Sequence, residues 1–212
     1  MLQKIIHKNL LFLSLFVLWL IISSVLLLTF SDKEIFFSVN KLHNPFFDRL
    51  MTVLSSYGRG DSITIVFVIL LFFKAYRNKE YLITTVSFGI FLPIINRLSK
   101  DYFDKARPMG EFNPQNVHSV PWLENLFFDS FPSGHTMGAF GFFLLLNYFV
   151  PEKKWYITVL FFLLAFGCGY SRIYLGQHFF SDVAAGSLTG VIVSLVILLC
   201  VNLCLQKKKT NV

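Results

Sequence analysis

The stretches of chain that carry no charge decide what this sequence can fold into. Asn9 to Phe30, Tyr81 to Asn96, Ser133 to Val150, Trp155 to Ser171 and Val183 to Gln206 each run for at least fifteen residues without Asp, Glu, Lys or Arg. Ser62 to Phe73 is a shorter sixth. A bilayer core is about 30 Å thick and needs about 20 helical residues to cross it. One water-exposed globule cannot hide so many apolar tracts. Only 15% of the residues are charged, where a soluble domain carries about 25%. Disordered chains, collagen-like chains and soluble single-core enzymes are thereby excluded.

The reading is an all-α, polytopic membrane protein, one domain over residues 1–212, with six transmembrane helices near 9–30, 61–79, 81–98, 133–150, 155–174 and 183–206. Interfacial segments fill 31–60 and 99–132. The second span is the least regular. Leu50 to Tyr57 reads as an interfacial helix, Gly58-Arg59-Gly60-Asp61 interrupts it, and Lys74 snorkels from the span that follows. The first span has the charge order of a signal peptide, but it is long and lacks a small-residue cleavage site, so it reads as retained. Cys168, Cys200 and Cys204 all lie inside apolar tracts and read as packing residues, not as a disulfide framework or a thiolate metal site.

The net charge of +7 does not point to nucleic acid, because the cations do not gather on one polar face. They concentrate in the tight gaps: Lys4 and Lys8, then Lys74, Arg77 and Lys79, then Lys153 and Lys154, then Lys207 to Lys209. Such density marks the cytoplasmic side and puts both termini there. The long segments 31–60 and 99–132 then face outward, and the aromatic stretch Trp122 to Phe128 suits the headgroup layer.

At the outer ends of three spans the costly residues collect. The third ends in Lys100 to Arg107-Pro108, the fourth begins with Pro132-Ser133-Gly134-His135, and the fifth leads into the sixth through Ser171-Arg172 and His178 to Asp182. A Lys or Arg deep in a membrane helix costs about 2.5–3.5 kcal/mol on insertion scales, so Lys100, Arg107 and Arg172 at one level call for a shared anion. Lys100 offers a point charge, and the two guanidinium forks match phosphate oxygens. Ser133 and Gly134 open a helix whose N-terminal N–H groups favour an anion. His178 and Asp182 stand four apart, on one helical face, where a carboxylate fixes an imidazole's tautomer. His135 is placed to protonate a leaving oxygen. No ligand set calls for a metal. Lys33, Lys41 and Lys105 read as interfacial anchors, and Asp61 and His118 as structural. Arg97 stays open.

Lys100-x6-Arg107-Pro108, Pro132-Ser133-Gly134-His135 and Ser171-Arg172-x5-His178-x3-Asp182 together resemble the tripartite signature of the phosphatidic acid phosphatase type 2 superfamily, complete and in order. The likeness covers the chain from about Leu50 onward. It implies catalytic His178, His135 and Asp182: a nucleophile that forms phosphohistidine, an acid for the leaving group, and the carboxylate that orients the nucleophile. It implies phosphate binding by Lys100, Arg107, Ser133, Gly134 and Arg172, with neither metal nor cofactor. Size and span number resemble the bacterial membrane branch, which includes phosphatidylglycerophosphate, undecaprenyl diphosphate and lipid A phosphatases. The expectation is therefore a metal-independent phosphatase acting on a membrane lipid phosphate or diphosphate, multi-pass in the bacterial inner membrane, its site facing the periplasm or exterior. Two alternatives stand beside it: a lipid phosphotransferase, and a non-enzymatic transporter or flippase of anionic lipids. Natural substrate and oligomeric state are not legible.

Overall fold

Inside a bilayer every backbone N–H and C=O must find a partner within the protein, so apolar tracts of this length become helices. The computed structural model describes residues 1–151 and 153–210, and its elements are helices throughout, with no strand among the described residues. They are α1 (Leu2–Thr29), α2 (Asp32–Asn40), α3 (Pro45–Ser56), α4 (Gly60–Leu70), α5 (Lys79–Phe103), the single turn α6 (Pro108–Glu111), α7 (Gly134–Phe149), α8 (Trp155–Tyr174) and α9 (Phe180–Thr210). Among the described residues, four stretches are long and apolar enough to cross a membrane: Leu2–Thr29, Lys79–Glu111, Trp155–Tyr174 and Phe180–Lys207. The protein is multi-pass.

The expected second span departs most from its forecast. α3 and α4 together are apolar enough for a crossing but bend by 60° at the break around Gly58 and Arg59. α4 stops at Leu70 and does not continue to Lys79. Arg77 turns back on the helix end there, Nε donating to the Leu71 carbonyl at 2.7 Å and Nη2 to that of Phe72 at 2.9 Å. A cation on the last carbonyls is a C-terminal stop.

α7 is the axis of the bundle. Every residue from Thr136 to Tyr148 is buried, and α1, α5, α8 and α9 pack around it. Its 16 residues span only about 24 Å at 1.5 Å each, less than the bilayer core. That length suffices because neighbouring helices, not lipid, surround it. α9 comes close through Gly186 and Gly190, where a Cβ would lie 2.6 Å from the Ser133 carbonyl oxygen and 2.2 Å from that of Met137. Small residues at this spacing let two membrane helices touch backbone to backbone. α1 buries only a stripe, Ile5, Asn9, Phe12, Phe16, Trp19 and Ser23, and Trp19 donates its indole N–H to Ser187 of α9 at 3.0 Å.

Polar groups also lock the end of the bundle away from the α7 N-terminus. Asn147 of α7 donates to Asn9 of α1 and accepts from Thr158 of α8, both at 2.8 Å. Tyr148 donates to Glu80 of α5 at 2.5 Å, and Asn202 of α9 donates to the same carboxylate at 2.9 Å. Of the segments expected to be interfacial, 31–60 contains two helices. α2 opens with a capping box, the Ser31 hydroxyl accepting from Glu34 N–H while the Glu34 carboxylate accepts from Ser31 N–H. Trp122 to Phe128, by contrast, is irregular chain with an exposed Trp122 and Phe128.

Candidate active site

The C-terminal end of α5, the N-terminus of α7, and the α8–α9 turn meet at one end of the bundle. Lys100, Arg107, Gly134, His135, Arg172 and His178 line one cavity of about 1200 Å³. Ser133 is buried beside it as the N-cap residue of α7. Its hydroxyl does not turn back onto the helix but accepts from Thr136 Oγ1 at 2.9 Å. All eight residues singled out in the sequence thus belong to this one region, although Asp182 lies behind His178 and does not line the cavity.

His178 sits in a turn that the sequence builds for it. Leu175 ends α8, and Gly176 takes φ +71°, the left-handed region; a side chain there would also press within 2.6 Å of the His118 carbonyl. The N–H groups of Gln177 and His178 then both donate to the Arg172 carbonyl, at 2.9 and 3.2 Å. His178 is 1% exposed. Arg107 Nη1 points at its Nε2 from 3.3 Å. Since a guanidinium only donates, Nε2 is the lone-pair nitrogen and Nδ1 carries the hydrogen. Burial and, against the pull of Asp182, the charges of Arg107 and Arg172 hold this imidazole well below its ordinary pKa, so it stays neutral at physiological pH.

Behind the ring, Asp182 Oδ2 is 3.6 Å from Nδ1, just beyond hydrogen-bond range. Ser130 fills the gap: its Oγ lies 3.5 Å from Nδ1 and donates to Asp182 Oδ2 at 2.5 Å. Asp182, fully buried, also accepts the Phe179 N–H at 2.9 Å and Lys105 Nζ at 2.8 Å. Lys105 was expected to be an interfacial anchor. Instead it turns inward onto this carboxylate and onto Asp32 at 3.4 Å, because the left-handed Asp104 ends α5 and redirects the chain.

The cations are held without being neutralised. Arg107 donates to the carbonyls of Phe128 at 2.8 Å, Gln177 at 3.0 Å and Asp129 at 3.2 Å. Arg172, 5% exposed, donates to Ser55 Oγ at 2.6 Å and more weakly to Gln177 Oε1 at 3.4 Å, and its buried Nε has no partner. Among the described residues neither arginine nor Lys100 forms an ion pair with a carboxylate. Buried charge left unpaired costs several kcal/mol, which a bound anion would offset. Arg97, in contrast, is an exposed partner of Asp101 at 2.6 Å. Asp61 pairs with Arg59 at 2.6 Å on the lining of the same cavity, so that cation is already neutralised, whereas His118 pairs with Asp48 at 2.8 Å away from it. No cluster of three or more His, Cys, Asp or Glu suited to a metal occurs among the described residues.

From the cations the cavity continues as a cleft between α4 and α5, past Asn96, Pro93, Gly89, Phe67 and Val68 to Leu71 and Leu82. Pro93 within α5 has no N–H for the Gly89 carbonyl, so the cleft wall is marked by a break in the helical ladder. Sequence reasoning missed Ser130, Lys105, Gln177, Ser55 and Asp32. Lys105 and Ser130 lie inside or two residues from recognised motifs; Ser55 and Asp32 are far away in the chain and carried no local signal.

Known proteins resemble this chain in sequence and fold. Phosphatidylglycerophosphatase B of Bacillus subtilis is 27% identical over 193 residues, covering 84% of this chain and 89% of that protein. Undecaprenyl-diphosphatase of Sulfolobus acidocaldarius is 31% identical over 182 residues, 83% of this chain and 84% of that one. The crystal structure of Aquifex aeolicus LpxE superimposes with a TM-score of 0.65 at 29% identity, covering 78% of this chain and 93% of that chain. The PAP2 superfamily pattern matches residues 80–205, which include the whole cation and histidine cluster. With more than half of its length matched, and a relative above 30% identity over most of it, the chain belongs to the PAP2 superfamily.

Proposed function

We propose that this chain is a phosphatase of membrane lipid phosphates or diphosphates that works without a metal, through a phosphohistidine, at the outer leaflet. One observation carries the reading: three cations without carboxylate partners share a cavity with the lone-pair nitrogen of a neutral histidine, and that cavity runs on as an apolar cleft. The phosphoryl group binds where Lys100, Arg107, Arg172 and the N-terminus of α7 converge. His178 Nε2 attacks phosphorus. The bond from phosphorus to the bridging oxygen breaks, and His135 gives that oxygen its proton. Water then attacks the phosphohistidine, His135 takes a proton from it, and inorganic phosphate leaves as Nε2 recovers its lone pair. The lipid tail lies in the α4–α5 cleft.

Counting the bent α3–α4 pair and the sheathed α7 as crossings gives six spans. The cation-dense loops support cytoplasmic termini. In support, Lys8 and Lys153 meet at the far end of α7, where Lys8 Nζ donates to the Tyr148 carbonyl at 3.4 Å and Lys153 to the carbonyls of Lys8 and Asn147. A transporter of anionic lipids would use the cations but has no need of a Ser130–Asp182 relay behind an imidazole.

The test is phosphate release by purified protein from phosphatidate, phosphatidylglycerophosphate, undecaprenyl diphosphate and lipid A, beside His178→Ala. The expected result is stoichiometric release for at least one lipid and none for the variant, with lipid binding kept. Equal release by the variant would refute the nucleophile; lipid movement without phosphate release in the wild type would favour the transporter.

A further inference from the structure

We infer that Lys105 is a positioning residue: from behind the catalytic pair it pins Asp182, and through Asp182 it sets the tautomer that aims His178 Nε2 at phosphorus. The inference rests on the proposed phosphatase reading for its catalytic consequence, though not for its spectroscopic one.

Two distant segments, the start of α2 and residues 179–182, converge on the Lys105 ammonium. From the α5–α6 connection it donates to Asp182 Oδ1 at 2.8 Å, to Ser181 Oγ at 2.9 Å and to Asp32 Oδ2 at 3.4 Å. Three acceptors match the three donors of an ammonium. The Phe179 ring lies beneath it, 4.7 Å from Nζ to the ring centre. Asp32, at the start of α2, also accepts the Ser181 N–H at 2.9 Å and the Ser181 hydroxyl, so α2 caps the first turn of α9.

The division of labour on Asp182 follows. Lys105 holds Oδ1, while Oδ2 alone faces Phe179 N–H, Ser130 and the His178 ring. Without Lys105 only the Phe179 N–H and the Ser130 hydroxyl would hold Oδ2 there, with Oδ1 unanchored. The nearest approach of Oδ2 to Nδ1 is 3.6 Å and is bridged by Ser130, so the Nδ1–H tautomer that Arg107 favours from the front is supported from behind only by a carboxylate held in place. Isolated imidazole has no such constraint. On the cavity side Arg107 approaches the Nε2 edge and can only donate, so it cannot take the hydrogen of Nδ1 on the opposite edge. Lys105 is thus separate from the phosphate cations: it lies outside the cavity lining and its charge is taken up by two carboxylates.

The test uses purified full-length protein with ¹⁵N-labelled histidine, the His178 signal identified by its loss in His178→Gln. Wild type is expected as the Nδ1–H tautomer at pH 7. Lys105→Met should give a tautomer mixture and a kcat lower by about 10- to 100-fold, with KM within about threefold. Lys105→Arg, which keeps charge and donors, should restore both. If Lys105→Met does not fold, Asp32→Asn, which loosens the other side of the clamp, should mix the tautomers partially. An unaltered tautomer in Lys105→Met, or in Asp32→Asn when that variant stands in, overturns the inference. So does a lowered kcat that Lys105→Arg fails to restore. If wild type releases phosphate from no lipid, the proposed function fails, and the tautomer spectra still decide Lys105.

Discussion

Replacing Arg172 by Lys keeps the charge and removes the fork, which separates attraction from geometry at the phosphate site. Of the five N–H donors of Arg172, one goes to Ser55 at 2.6 Å and one weakly to Gln177 at 3.4 Å. The remainder include the buried, unpartnered Nε. A bound phosphoryl group can therefore take two parallel bonds from this side chain, an arrangement a lysine ammonium cannot reproduce. Hydrogen bonds to charged groups contribute about 1.5–3 kcal/mol each. Lysine keeps about one phosphate contact and strands Ser55 Oγ, so the loss is about 2–3 kcal/mol, or about 30- to 160-fold in kcat/KM. The assay is phosphate release from the preferred lipid in detergent micelles, with substrate concentration varied. Arg172→Lys within about threefold of wild type would refute a bidentate role and reduce Arg172 to a source of field.

Other outcomes follow from the same geometry. Because His178 is held neutral far below the ordinary imidazole value, the nucleophilic form is lost only as pH falls through that lowered value. The acid limb of kcat/KM should therefore lie below about pH 5, and a limb centred near pH 6.5 would contradict it. If Lys100, Arg107 and Arg172 supply the countercharge as proposed, turnover should survive excess EDTA; strict dependence on a divalent ion would overturn the proposed mechanism. Gly190→Ala places a methyl 2.2 Å from the Met137 carbonyl oxygen, so α7 and α9 must separate. The expected cost is about 1–3 kcal/mol, read as a lower unfolding temperature in fluorescence-detected size exclusion, and an unchanged temperature would refute the close contact.

How much was visible beforehand depends on the kind of signal. Uncharged length marks a helix whatever surrounds it, so α1, α5, α8 and α9 were legible. Length alone could not tell that α7 is wrapped by protein or that α4 stops at Leu70, because the stop is an Arg77 side chain returning to two carbonyls. The capping box at Ser31 and Glu34 was present in the sequence as Ser-x-x-Glu and would have located α2. In the site, the motif residues stood out because cations and histidines are expensive in lipid. Lys105 read as an interfacial anchor, unlike Lys100 five residues earlier, yet it too turns inward, onto different partners. That distinction arises from the left-handed turn at Asp104 and from Asp32, and no local pattern encodes either.

The shortness of α7 has a bearing on how the enzyme meets membranes of different composition. Mismatch between hydrophobic length and bilayer thickness is relieved by tilting or by deforming lipid around the helices that touch it. Here that adjustment falls on α1, α8 and α9, whose outer faces carry exposed residues such as Val17, Leu163 and Ile192. The helix bearing Ser133, Gly134 and His135 has almost no lipid boundary to respond to. Its reactive end keeps its place relative to the surrounding protein, so thicker or thinner membranes reorient the sheath and leave the chemistry undisturbed.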